Sequence, residues 1–227
     1  MTTVLNYIAV FLALLVALPV HEFAHAFVAY KSGDLTAKME GRLTLNPMAH
    51  FDMLGLLSLL FFHFGWGKPV PINPYNFKHR RLDSVLVSLA GIVSNYLLAF
   101  IVYPIAVLYW NYVYPLISAI GFLGYVGYVI GIALFYIVDM SLFLAVFNIL
   151  PLYPLDGFNL FDALNTTRGR FYQFMRNYSE YILLALLLLG VVADITNVPS
   201  MDILGIALSY LKGIIQIPIT AFWGLIF

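Results

Sequence analysis

The run from Val4 to Tyr30, VLNYIAVFLALLVALPVHEFAHAFVAY, decides the fold. Roughly twenty consecutive apolar residues span a bilayer as one helix. This run is longer, and Glu22 is its only charged residue. Near its end stands His21-Glu22-Phe23-Ala24-His25. Residues four apart share one face of a helix, so both imidazoles can hold one metal ion with Glu22 beside them as a base. Two imidazoles and a carboxylate within lipid are costly, which marks them as functional. Their placement points to hydrolysis inside the membrane.

Composition agrees with that placement. The chain is 63% hydrophobic and 10% charged, against about half and a quarter in a soluble domain. It cannot present a water-compatible surface, so its solvent is the lipid bilayer. The formal net charge of zero argues against nucleic acid as a partner. With no cysteine, disulfides and thiolate metal sites are both excluded. Met1-Thr2-Thr3 lacks a basic n-region and the apolar run is too long for a signal peptide, despite Ala24-His25-Ala26. The expectation is a retained helix.

Four further stretches reach spanning length or approach it, about 84–110, 123–150, 179–195 and 203–226. Met53 to Trp66 is apolar but short, which suits a re-entrant element. Rough period-two alternation over 34–50 suggests short strands at the membrane surface. The fold expected is an all-α polytopic membrane protein of about five to six transmembrane helices, with a re-entrant segment and short surface β-strands. No linker or repeat divides it. A single domain over 1–227 is expected, with a catalytic core at about 4–165 and C-terminal helices at about 179–226. Of the 11 basic residues, all but Lys212 fall in the connections 31–52, 67–83 and 157–180. The positive-inside rule places those connections, and with them the end of the first helix bearing His21 and His25, near the cytoplasmic side of the cell membrane.

A catalytic zinc needs three protein ligands and one open position. His21 and His25 supply two, and the third is open among His50, Asp52, His63, Asp139, Asp156 and the few glutamates, of which only Glu180 follows Glu40, at the edge of a basic loop. Asp156 follows Asn148-Ile149-Leu150-Pro151-Leu152-Tyr153-Pro154-Leu155 and precedes Gly157. Two prolines break the helix there and Gly157 permits a sharp turn. Unwound backbone at membrane depth is tolerated where it lines a protein or water-filled cavity.

HExxH in one membrane helix with Asn-x-x-Pro-x-x-x-x-Asp-Gly in a later one resembles the site-2 proteases, the intramembrane zinc metalloproteases. The resemblance covers most of residues 15–165. It includes the stretches Gly41 to Pro47, Gly67 to Pro74 and Ala90 to Asn95, the last departing at Ile92, where proline is usual. It is closest to short members without PDZ or CBS domains. The resemblance implies one zinc per chain held by His21, His25 and Asp156, with Glu22 as the catalytic base. It implies a substrate or oxyanion contact for Asn148, and less directly for Asn95. The implied substrates are transmembrane proteins, unwound and bound as an added strand along 34–66.

Other polar residues have plainer readings. His50 and Asp52 suit a capped turn after Asn46-Pro47, and His63 an interfacial anchor among phenylalanines. Lys78, His79, Arg80 and Arg81 read as a topology signal. Asp139 lies mid-span without an assigned role. Two alternatives stand beside the protease: a pseudoprotease that binds membrane partners without cutting them, and a metal transporter. The intact Glu22 opposes the first. The single compact ligand set and the lack of repeats oppose the second.

Overall fold

Apolar length sets helix length along most of the chain. The structure is a computed structural model and describes residues 2–62 and 65–226. Helix α1 runs Thr2–Lys31, α2 is one turn at Thr36–Met39 and α3 is Met53–Phe62. Helix α4, Arg80–Leu108, continues through a π-helical turn at Tyr109–Val113 into α5, Tyr114–Ile117. Then follow α6, Gly121–Asn148, α7, Asp156–Leu164, α8, Arg170–Thr196, and α9, Ile203–Trp223. Five of these are long and apolar enough to cross a membrane: α1, α4 with its extension, α6, α8 and α9. The molecule is an all-α polytopic membrane protein.

Helices α1, α4 and α6 pack on one another as the inner bundle. Lipid offers no hydrophobic drive between helices, so close backbone approach through small residues carries the association. Ala9, Ala13 and Ala17 form such a row on α1, all fully buried. Val138 and Leu142 of α6 meet Ala99 and Val102 of α4 and Ile219 of α9. The Trp223 indole N–H donates to the Phe100 carbonyl at 2.9 Å, which fastens α9 to α4. Asp139, the acid inside α6, is paired with Lys212 of α9 at 2.5 Å. Partnering offsets much of the cost of an isolated charge at that depth.

The segment after α2 departs from the expected strands. Among the described residues there is no strand over 34–50, and Phe51 makes a single antiparallel bridge with Gly67. Local side-chain bonds take up the backbone first: Asp34 Oδ1 accepts from the Thr36 N–H at 3.1 Å, and Asn46 Oδ1 from the Met48 N–H at 3.1 Å. Such bonds favour turns over ladders. The Phe51–Gly67 bridge, with Lys68 N–H donating to the His50 carbonyl at 2.8 Å, brings both ends of 53–66 to one place. Helix α3 leaves from this junction, and Trp66 lies back beside its first turn. Gly55 has no Cβ where the Trp66 carbonyl lies 2.0 Å away. His63 falls outside the described residues.

Candidate metal centre

The i, i+4 spacing on α1 holds the His21 and His25 Nε2 atoms 3.1 Å apart. Asp156 Oδ2 lies 3.2 Å from the first and 3.0 Å from the second. Both imidazoles are buried. Three atoms that prefer to accept, packed this closely, need a shared cation or protons between them. Tetrahedral zinc with ligands at about 2.0–2.1 Å gives donor–donor edges of about 3.3–3.4 Å, close to the triangle seen. Two imidazole nitrogens and one carboxylate are also a donor set that zinc accepts. These residues could hold a metal ion, and among the described residues they form the group that could.

Surrounding contacts orient the three. His25 Nδ1–H donates to the Val87 carbonyl at 2.7 Å, which leaves its Nε2 lone pair facing inward. Gly91, one turn further along α4, sits against both rings: a Cβ there would lie 2.4 Å from His25 Nε2 and 2.5 Å from His21 Cε1. Asp156 opens α7, and the irregular stretch before it is held by the Tyr153 N–H donating to the buried Ser179 hydroxyl of α8 at 2.9 Å. Gly157 has the Ile149 and Leu150 carbonyls 2.3 and 2.4 Å from where a Cβ would stand. Only glycine lets α7 begin so close to the end of α6.

Glu22 is fixed from a different direction. The Val70 N–H donates to its Oε2 at 2.9 Å. Val70 lies in the irregular segment Lys68 to Asn73, clamped at one end by the buried Arg42, whose Nη2 donates to the Lys68 carbonyl at 2.5 Å. At the other end Asp34 accepts from the Asn73 N–H at 2.7 Å and from Asn76 Nδ2 at 2.8 Å. Burial pushes the Asp34 carboxyl up, but its hydrogen bonds from Asn73, Thr36 and Asn76 outweigh that and hold it below its ordinary value. Asp34→Asn turns one carboxylate oxygen into an amide that faces donors. About 1–3 kcal/mol of stability should be lost in chemical unfolding, with zinc content unchanged.

A cleft of about 880 Å³ opens over this floor, lined by His21, Glu22, His25, Val70, Asn148 and Asp156 and by residues nearer its mouth. Asn148, which lines the cleft, donates to the Leu144 carbonyl at 3.0 Å and keeps its Oδ1 and a second N–H for other partners. Asn95 is placed differently. It is fully buried in α4, lines no part of that cleft, and neither polar side-chain atom has a hydrogen-bond partner among the described residues. His50, Asp52 and Asp139 stay apart from the triad. His50 donates through Nε2 to the Thr44 carbonyl at 2.8 Å, and Asp52 caps α3 through the Gly55 N–H at 2.9 Å. Arg42, Val70, Val87 and Gly91 complete the site; Val87 alone lies outside the stretches that carry the resemblance, and none of the four was assigned a role from sequence.

Fold and site together define a class: a polytopic membrane protein with a hydrolase-type metal donor set inside its helical bundle. The chain belongs to peptidase family M50, the site-2 protease family its paired motifs resemble; the family profile matches residues 9–190. It is 44% identical over 155 residues to a Bacillus subtilis protein named "Putative zinc metalloprotease YwhC", covering 67% of each chain. Two proteins named Rip2, from Mycolicibacterium smegmatis and Mycobacterium tuberculosis, are 30% and 31% identical over 169 and 158 residues. Those matches cover 70% and 67% of this chain but 59% and 55% of the relatives. No solved structure matches the chain.

Proposed function

We propose that the chain is an intramembrane zinc endopeptidase that hydrolyses peptide bonds within or near transmembrane segments of membrane proteins, as in regulated intramembrane proteolysis. The observation that carries this reading is the meeting of His21, His25 and Asp156 on a cleft floor that Glu22 also lines. When bound by these three residues, zinc supplies Lewis-acid chemistry that polarises a carbonyl and makes water nucleophilic at neutral pH. Glu22 takes the proton of the attacking water and returns it to the departing amide nitrogen. The Val70 N–H occupies Oε2 of Glu22 and leaves Oε1 for that proton. Asn148 offers its free amide N–H to the substrate backbone or the developing oxyanion, a contribution of about 3 kcal/mol if well placed.

The clustering of basic residues supports a cleft that opens toward the cytoplasmic side of the cell membrane. Residues 1–227 act as one protease domain in this reading. Detergent-purified protein should hold about one zinc per chain, and Asp156→Ala should hold almost none and leave a single-span reporter uncut. Full zinc retention by Asp156→Ala would remove it from the ligand set. A wild type that binds zinc but cuts no membrane-spanning reporter would favour a binding role.

A further inference from the structure

We propose that Arg81 is a positioning residue for the metal centre, acting through α7; this rests on the zinc reading above. Helix α4 supplies none of the three converging atoms, yet it touches both imidazoles and packs along α7, which carries Asp156. Its Val87 carbonyl accepts from His25, and its Gly91 lies against both imidazoles. Two to three turns earlier, the Arg81 guanidinium reaches α7. Nε donates to the Ala163 carbonyl at 3.1 Å and Nη2 to the Leu164 carbonyl at 2.9 Å.

These carbonyls belong to the last turn of α7, where a helix has no intrahelical partners to offer. The positive charge also suits the negative end of the helix dipole. At the other end of the same nine-residue helix stands Asp156. Ten residues of α4 from Arg81 to Gly91 span about 15 Å, and eight steps of α7 from Asp156 to Leu164 span about 12 Å. The two helices therefore run side by side, with Asp156 beside the imidazoles and the carboxyl end of α7 pinned by Arg81. A helix this short is not stable by itself. Aromatic packing of Phe158 and Phe161 on Tyr172 holds its α8 side. Arg81 ties it to the helix against which the histidines are set.

The sign of the effect separates this role from simple electrostatics. A guanidinium near a divalent cation repels it, so removing only its charge would tighten metal binding. Removing a clamp loosens Asp156 and weakens binding. Zinc affinity of the full chain in detergent, measured by competition with a chelator, should fall about 10–100-fold in Arg81→Ala. The visible spectrum of cobalt bound in place of zinc should shift away from the wild-type tetrahedral bands. Arg81→Lys, which keeps the charge but not the two-pronged geometry, should lie between. Arg80→Ala, whose side chain stacks on Tyr75 instead, should match wild type. Arg81→Ala with wild-type or tighter affinity and an unchanged cobalt spectrum overturns the proposal alone. Equal losses in Arg80→Ala and Arg81→Ala overturn it as well. A wild type that binds neither metal overturns both this role and the zinc reading. If Arg81→Ala does not fold, Arg81→Lys carries the same comparison.

Discussion

Glu22→Gln is expected to slow cleavage of a membrane-spanning substrate by about 10²–10⁴-fold while zinc content stays at the wild-type level. Gln has nearly the same shape, and its Oε1 can accept the Val70 N–H that now donates to the carboxylate. The side chain therefore stays in place but cannot take a proton. Its neighbours His21 and His25 are untouched and still converge with Asp156. The prediction is read by single-turnover cleavage beside metal analysis on the same preparation. Undiminished cleavage would take the base role away from Glu22, and lost zinc would mean that it acts structurally.

The second large effect comes from a residue with no functional group. Gly91→Ala places a methyl 2.4 Å from His25 Nε2 and 2.5 Å from His21 Cε1. Those separations are well inside van der Waals contact, and the ring atoms concerned belong to two buried side chains held between packed helices. The rings must turn or α4 must retreat from α1, and either breaks the triangle with Asp156. Overpacking of this kind costs about 1–3 kcal/mol in stability, but displacement of about 1 Å at a reacting centre costs 10²-fold or more in rate. Zinc stoichiometry should drop sharply, with only a modest fall in unfolding temperature. Gly213→Ala on α9, with open space around its Cβ position, is the matched control and should leave zinc unchanged. Full zinc in Gly91→Ala would show that the bundle can yield at this contact.

The surface segment between α1 and α4 shows where sequence reading fails. Alternation over 34–50 suggests strands, yet the structure has turns, α2 and one bridge. A period of two over so few residues is a weak signal, and it cannot anticipate that Asp34 will collect the Thr36, Asn73 and Asn76 donors. Arg42 likewise turns inward to the Lys68 carbonyl. The mid-span Asp139 had no partner to be read from sequence, because Lys212 lies 73 residues away. Gly91 lies within a stretch that carries the family resemblance, but nothing about a glycine in a membrane helix says that two imidazoles rest on it. The contributions of Val70 and Val87 come from backbone atoms, which every residue carries, so residue identity could not mark them.

By itself the sequence determined the five spanning helices, because bilayer thickness turns apolar length into a one-dimensional constraint. It also determined that His21 and His25 share a helix face, because helical periodicity fixes neighbours four residues apart. Only the tertiary structure decided how Asp156, 131 residues beyond His25, comes within 3.0 Å of it. It alone decided that α4 stands as the common wall against which α1 and α7 are set. That arrangement depends on close packing, a missing Cβ and backbone carbonyls, which are properties of neighbours in space.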